Sequence, residues 1–197
     1  MAMTTEGTFR ELIDRVRSGD EQAAIDLVRR YEPAIRRAAR VRLRDPRLGR
    51  LLDSMDICQS VLASFFVRAA LGQYELGTPE QLLGLLVKMA QNKVARQAKA
   101  QRAGRRDYRR IVAEIEGGLD VAARDASPSR QAAARELLDE ARRLLGPEES
   151  AVLERRERGS GWAEIAAELG GSPDALRVRM ARAVDRVARH LGLDEGQ

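Results

Sequence analysis

Two amphipathic helical segments joined by a pair of glycines limit the fold of this chain more than any other feature. They are the two halves of GWAEIAAELGGSPDALRVRMARAVDRVARHL, residues 161–191. Gly170 and Gly171 favour a tight turn, Ser172 can cap the second helix, and Pro173 suits its first position. In that helix the apolar residues fall within a narrow arc and four arginines fall opposite them. The pattern predicts a helix-turn-helix with an apolar inner face and a basic outer face.

The outer face of this second helix is a candidate for reading DNA. The second helix of such a motif enters the major groove, where its side chains reach base edges and phosphates. The candidate contact residues are Asp174, Arg177, Val178, Arg179, Arg182 and Arg186. The alternative interpretation is a solvated basic face on an ordinary helical hairpin, which needs no ligand.

Charge and composition favour a polyanionic partner and exclude several kinds of site. The net charge is +5, with 35 basic and 30 acidic residues. One cysteine and one histidine allow neither a Cys/His zinc site nor an internal disulfide. The sequence has no glycine-rich phosphate loop and no apolar run of membrane-spanning length. We therefore expect a cytoplasmic protein that is not an enzyme, with no metal, no cofactor and no membrane insertion.

Helical periodicity also governs the first half of the chain. Aromatic residues make up only 4% of the sequence, so Leu, Val, Ile and Ala must form the core. Thr8 is predicted to cap a first helix, and Asp20 a second one that bends or restarts at Pro33. Two further helices are predicted over residues 53–70 and 78–102.

Changes in composition divide the chain into three parts. Residues 1–110 form a basic helical domain, residues 111–134 an acidic linker that contains glycines and a proline, and residues 135–197 a small helical domain. The predicted fold class is therefore all-α, with two small helical domains joined by a flexible linker. The C-terminal domain carries the helix-turn-helix.

The stretch DSMDICQSVLASFF, residues 53–66, differs from its arginine-rich surroundings. Asp53 and Asp56 precede an apolar run of helical length. They could form half of a metal site, but acids at the start of a helix are usually caps, and no histidine or further acid accompanies them. Ile57, Val61, Leu62, Phe65 and Phe66 form a broad apolar arc on the predicted helix. Cys58 falls in this arc and is expected to be a small buried residue rather than a nucleophile.

A second basic region follows at residues 88–110, which hold nine basic residues and one acid. This one-sided charge is consistent with a second nucleic-acid surface, and the alternative is an ordinary solvated face. Tyr74, in the preceding loop, could stack on an unpaired base. Loop tyrosines more often pack locally.

Four stretches, in this order, resemble the extracytoplasmic-function (ECF) sigma factors of bacterial RNA polymerase. SGDEQAAIDLVRRYEPAIRRAAR is similar to the start of their region 2, the promoter-melting domain. DSMDICQSVLASFF resembles the Asp-x-x-Asp-x-x-Gln-x-Val helix of the family, and LLVKMAQNKVARQAKAQR resembles the helix that follows it. LLGPEESAVLERRERGSGWAEIAAELGGSPDALRVRMARAVDRV is similar to region 4. Together they cover nearly the whole chain outside the linker.

The resemblance implies roles for particular residues. In the family, the helix equivalent to residues 53–66 binds core polymerase, which implies contacts from Asp53, Asp56, Gln59 and Ser60. It implies that the −10 element meets Tyr74, Lys88, Asn92, Lys93, Arg96 and Lys99. The outer face of the helix-turn-helix would read the −35 element. One departure is Gln91, which stands where the family usually has an arginine.

The function that the resemblance implies is promoter-specific initiation of transcription. The partners would be core RNA polymerase, through its β′ coiled coil and β subunit, and promoter DNA. An anti-sigma factor is a further partner that the resemblance allows. The competing hypothesis is a stand-alone helix-turn-helix regulator that binds DNA without polymerase, and it gives the helix at residues 53–66 no role.

Overall fold

A computed structural model describes residues 3–43, 53–104 and 128–193. These ranges contain helices and connecting turns, with no strand among them. The helices are α1 (Met3–Arg17), α2 (Glu21–Arg42), α3 (Ser54–Ala70), α4 (Pro79–Gly104), α5 (Pro128–Arg143), α6 (Pro147–Glu157), α7 (Trp162–Leu169) and α8 (Pro173–His190). The all-α prediction is confirmed. None of the described helices is long and apolar enough to cross a lipid bilayer.

The predicted helix boundary at Thr8 was wrong. Thr8 lies inside α1, which begins five residues earlier, at Met3, because no proline interrupts it. Pro33 lies inside α2 and does not end it. An internal proline costs about 3 kcal/mol, but the neighbouring Tyr31 and Ile35 are buried, and each contributes roughly 1.5–3 kcal/mol. α5 begins at Pro128, within the residues assigned to the linker, and residues 111–127 lie outside the described part of the chain.

The first four helices form one hydrophobic cluster, which we call cluster 1. α2 packs against both α3 and α4, and α1 covers α2 and α3. The large, fully buried side chains of this cluster include Ile13, Leu27, Ile35, Ile57, Leu62, Phe65, Leu82 and Leu86. Leucine and isoleucine therefore dominate this core, as the low aromatic content requires.

The C-terminal helices form a second cluster, cluster 2, and α3 takes part in it as well. Ile165, Val184 and Val187 form its centre. Ala63 and Val67 of α3, together with Leu71 just after it, complete the cluster. Of the 17 residues of α3, 12 are buried, and a helix buried on nearly every side is a core helix. α3 is thus the central element that both clusters share.

Candidate binding surfaces

The N-terminal end of α3 presents two carboxylates to solvent. Asp53 caps the helix, because its side chain accepts a hydrogen bond from the backbone N–H of Met55 at 3.1 Å. Asp53 and Asp56 are exposed, whereas Gln59 and Ser60 are half-buried. The predicted polymerase-contacting residues therefore share one end of a helix that is otherwise buried.

Cys58 lies on the buried side of the same helix turn. Its side chain is inaccessible, and burial raises the pKa of its thiol to about 12. A thiol that stays protonated at neutral pH is a poor nucleophile, as predicted. Within the described residues, no group of three His, Cys, Asp or Glu side chains is placed to hold a metal ion.

The basic residues of α4 form the second candidate surface. Lys88 and Lys99 are exposed, and Asn92, Lys93 and Arg96 are half-buried. By helical spacing, Lys88 and Lys99 lie on one side of α4 and Asn92 and Arg96 lie next to them around the helix axis. Lys93 lies farther round the helix. The structure thus groups these five residues along one helix rather than in a pocket.

Tyr74 lies in the loop between α3 and α4. Its ring is half-buried and stacks on Phe65 of cluster 1, with the centroids 5.8 Å apart and the planes 6° from parallel. Its backbone carbonyl accepts a hydrogen bond from the guanidinium of Arg17 on α1. Arg17 could not be predicted from the sequence, because no periodic pattern separates it from the other arginines of the chain.

The third candidate surface is a concavity of about 550 Å³ between α8 and the start of α6. Five of the six predicted DNA-contacting residues line it, namely Asp174, Val178, Arg179, Arg182 and Arg186. Ala175 and Glu149 complete the lining. Val178 is 49% exposed, so an apolar side chain faces solvent between arginines.

Two of the predicted DNA-contacting arginines are engaged within the protein. Arg179 forms ion pairs with Glu148 and Glu149 at the start of α6. Arg177 lies outside the concavity lining; it pairs with Asp174 at 3.3 Å, and its guanidinium stands 5.8 Å from the Trp162 ring centroid. The contact of these two glutamates with α8 was not predicted from the sequence.

A buried arginine joins α3 to α8. The Arg68 side chain is 7% exposed, and it donates to Asp185 of α8 at 2.5 Å. It also donates to Gln73 at 2.8 Å and to Ser64 at 3.3 Å. A buried guanidinium is tolerated only when its donors are satisfied in this way. The signal in the sequence was Asp185, an acid within the arginine-rich face of α8.

A second polar contact joins the loop after α3 to the C-terminal helices. Glu75, in the loop after α3, accepts a hydrogen bond from the indole N–H of Trp162 at 2.7 Å and pairs with Arg156 at 3.2 Å. The Arg156 guanidinium also lies 4.9 Å from the Trp162 ring centroid. α6 and α7 are thereby attached to the loop that follows α3.

The comparison with protein families decides what kind of protein this is. The family model described as ECF sigma factor matches residues 6–192. The chain belongs to the ECF sigma factor family. The resemblance noted in the sequence is thereby confirmed, and with it the general assignment to DNA-binding sigma factors of transcription initiation and its regulation. Comparisons with curated proteins and with solved structures gave no match.

Proposed function

We propose that this ECF sigma factor binds core RNA polymerase through the N-terminal end of α3 and directs initiation by recognising −10 and −35 promoter elements. The observation that carries the proposal is the position of Asp53 and Asp56, which are exposed at the start of a helix that is otherwise buried. Asp53 caps the helix, and Asp56 lies in its first turn, where the helix dipole also favours a carboxylate. The assignment of Asp56 to a protein partner is supported by the family to which the chain belongs.

The polymerase contact is assigned to Asp53, Asp56, Gln59 and Ser60 on the β′ coiled coil. These residues belong to α3 and its cap, whereas the basic residues assigned to DNA belong to α4 and α8. Exposed carboxylates of this kind steer a basic partner and fix its register. A further contact of the C-terminal helices with the β subunit follows from the family resemblance.

The −10 element is assigned to α4 and the loop before it. Lys88, Asn92, Lys93, Arg96 and Lys99 would follow the DNA strand along one helix. Tyr74 would hold an unpaired base, which requires its ring to exchange the Phe65 contact for a base contact. Melting then needs no catalytic residue, because captured bases shift the duplex equilibrium toward the open form. Unstacking costs a few kcal/mol per base.

The −35 element is assigned to the concavity of α8, with α7 and α8 acting as a helix-turn-helix. Arg182 and Arg186 can reach guanine edges or phosphates, and the exposed Val178 suits a thymine methyl group. Asp174 can accept from a cytosine amino group. Arg177 and Arg179 are assigned to the same element, each after release from its carboxylate partner.

In this proposal the chain has the two functional halves expected from its sequence. Residues 1–110 correspond to region 2, residues 135–197 to region 4, and the segment between them joins the two. An anti-sigma factor remains a proposed partner that would compete with polymerase. The protein acts without a cofactor or a catalytic centre.

The test is co-elution of the purified protein with bacterial core RNA polymerase. We expect Asp56→Arg to weaken binding by at least about thirtyfold, because it places a cation against a basic partner. The matched control is Glu11→Arg, the same charge reversal at an exposed position of α1, which should bind like the wild type. Equal binding of Asp56→Arg and the control would contradict the proposal.

A stand-alone DNA-binding regulator is the second candidate, and the same experiment separates it. Such a protein would be retained by duplex DNA but would not co-elute with polymerase. Within the sigma proposal, Arg182→Ala should reduce transcription from a cognate promoter by roughly tenfold or more. Equal transcription from promoters with intact and scrambled −35 elements would refute the role of α8.

A further inference from the structure

Two carboxylates hold Arg179 at the edge of the concavity assigned to the −35 element. Glu148 and Glu149, in the first turn of α6, both form ion pairs with it. We infer that these two glutamates determine what Arg179 binds, because they weaken its attraction to DNA phosphates and aim it at a base edge. This inference rests on the proposed function, since it names specificity-determining residues for the surface assigned to the −35 element.

The two glutamates occupy different positions around the guanidinium. The Glu149 side chain is 14% exposed, lines the concavity, and has its Oε1 atom 3.5 Å from Nε of Arg179. The Glu148 side chain is 70% exposed and meets Nη2, at the end of the guanidinium. The Arg179 side chain is itself 42% exposed. DNA can therefore replace Glu148 at the end of Arg179, while Glu149 keeps its contact with Nε from below.

Gly146, the N-terminal cap residue of α6, leaves the space that the Glu149 carboxylate occupies. A Cβ atom at this position would collide with Oε2 of Glu149. The backbone does not require glycine here, because φ is −71° and ψ is 165°, angles that other residues adopt readily. The absent side chain thus allows the carboxylate to fold back over the start of α6 and lie beside Arg179.

The charges favour a base edge over a phosphate as the partner of Arg179. One guanidinium and two carboxylates carry a net charge of −1, so this corner of the concavity has little attraction for an anion. Guanine O6 and N7 are uncharged acceptors, and a guanidinium binds both of them through its N–H donors. Phosphate contacts carry no sequence information, whereas base contacts do. The two glutamates should therefore raise the ratio of specific to non-specific DNA binding.

The contact with Glu149 also prepares Arg179 for binding a base. A side chain that is already held in its bound geometry loses less conformational freedom on binding than a free one. A base contact through the two terminal nitrogens leaves Nε for Glu149. The alternative role of the glutamates is to stabilise the start of α6 through the helix dipole. That role alone predicts a loss of stability when they are removed, and no gain in DNA binding.

Binding of the full chain to a short duplex of mixed sequence, titrated at several salt concentrations, measures the attraction to phosphates. We expect the double variant Glu148→Gln with Glu149→Gln to bind this duplex about threefold tighter than the wild type at low salt, because Arg179 can then bind a phosphate. The slope of log K against log salt should steepen by about 0.9, the value for one added phosphate contact. The matched control, Glu154→Gln with Glu157→Gln, removes the same charge from exposed positions of α6 and should bind like the wild type.

Selection from a pool of random-sequence duplexes measures base discrimination. The wild type should enrich guanine at one position, and Arg179→Ala should lower this enrichment by about fivefold or more, the discrimination of one bidentate contact. Glu149→Gln should lower it by about half or more. Glu148→Gln should keep it, because Glu149 still holds Nε. Gly146→Ala displaces the Glu149 carboxylate without changing the charge, and serves if Glu149→Gln does not fold.

The glutamates must act through Arg179 and not through the general charge of the surface. In an Arg179→Ala background, the two glutamine substitutions should therefore raise the affinity for the mixed-sequence duplex by less than half as much. An equal rise with and without Arg179 would contradict the inference. Circular dichroism of each variant shows whether its helices are intact.

Failure of the inference and failure of the proposed function give different results. If Arg179→Ala and Arg182→Ala both left duplex binding and base selection unchanged, the concavity would not contact DNA, and its assignment to the −35 element would be refuted. If those two variants weakened binding but the double glutamine variant bound the mixed-sequence duplex no tighter than the wild type, the −35 assignment would stand. The role of Glu148 and Glu149 would then be overturned.

Discussion

The two hydrophobic clusters of this protein differ in how far each depends on the other. Cluster 1 is built by α1 to α4, including two helices of 22 and 26 residues. Cluster 2 is built by shorter helices, of which α7 has only 8 residues, and is completed by α3 from the other half. Short helices bury little surface on their own. The C-terminal half therefore needs residues of the N-terminal half to complete its hydrophobic core.

The largest expected change in stability comes from removing one fully buried side chain from each cluster, which tests this asymmetry. Phe65→Ala in cluster 1 should cost about 3–5 kcal/mol, and Ile165→Ala in cluster 2 about 2–5 kcal/mol. Trp162, the one tryptophan of the chain, reports on cluster 2 by fluorescence, and circular dichroism reports on all helices. We expect Phe65→Ala to shift both urea transitions, because α3 serves both clusters.

Ile165→Ala should lower the urea midpoint of the Trp162 fluorescence transition. It should not move the part of the circular dichroism transition that occurs at the highest urea concentrations. Cluster 1 does not need the C-terminal helices to bury its own residues. If Ile165→Ala shifted both signals equally, the two clusters would unfold as one unit and the asymmetry would be refuted.

Arg68→Ala should give the next largest loss of stability, because it removes the ion pair that joins the two halves. It deletes a buried donor to Asp185 and should cost about 2 kcal/mol, measured as a lower urea midpoint of Trp162 fluorescence. The matched control is Arg29→Ala, which removes an exposed arginine from α2 and should lie within about 0.5 kcal/mol of the wild type. An Arg68→Ala midpoint equal to that of the control would mean that the ion pair does not hold the halves together.

The same asymmetry explains which parts of the fold could be predicted from sequence. The start of α3 at Asp53 and the start of α8 after Ser172 follow from local capping chemistry, and both caps occur. The apolar arc of α8 could also be predicted, because its apolar residues recur at helical spacing along one helix. Local patterns therefore gave the helices and most of the residues on the candidate surfaces.

The contact between the halves could not be predicted in this way. Arg68 looks like a surface residue in sequence, and its partner Asp185 is 117 positions away. Ala63, Val67 and Leu71 lie outside the single apolar arc that α3 was expected to bury. A second buried face is recognised only when the helices that cover it are known, and no spacing within α3 specifies them. For the same reason, the ion pairs of Arg179 with the start of α6 were missed.

The pH dependence of stability sharpens the comparison, because cluster 1 holds a buried thiol. The pKa of Cys58 is raised to about 12 by burial, whereas an unfolded thiol titrates near 9. Its contribution to stability is complete below pH 9 and is lost as the pH rises toward 12, since only the unfolded chain releases the proton. Between pH 9 and 10 the free energy of unfolding should fall by about 1 kcal/mol more in the wild type than in Cys58→Ala. Identical pH profiles of the two proteins would show that the thiol is accessible.

The smallest effect compares a helix cap in each half. Asp20 caps α2 and pairs with Arg15 at 3.0 Å, and this ion pair, with the backbone N–H of Ala23, lowers the pKa of its carboxyl group. Its contribution is present above the unfolded pKa near 4 and is lost as the pH falls through the lower folded value. Asp20→Asn should be slightly less stable than the wild type near pH 7, because asparagine caps the helix but forms no ion pair with Arg15. The two proteins should converge as the pH falls, because the variant has no such contribution to lose.

Ser172, which caps α8 by accepting from the backbone N–H of Ala175 at 3.2 Å, has no charge to titrate. Ser172→Ala should therefore cost about 1 kcal/mol at every pH, read as a lower urea midpoint of Trp162 fluorescence. Both side chains cap a helix. The pH profiles of the two variants should therefore differ only because Asp20 carries a titratable carboxyl group and Ser172 does not. A Ser172→Ala deficit that changed between pH 3 and 7 would mean that the C-terminal helices respond to acid through groups other than their cap.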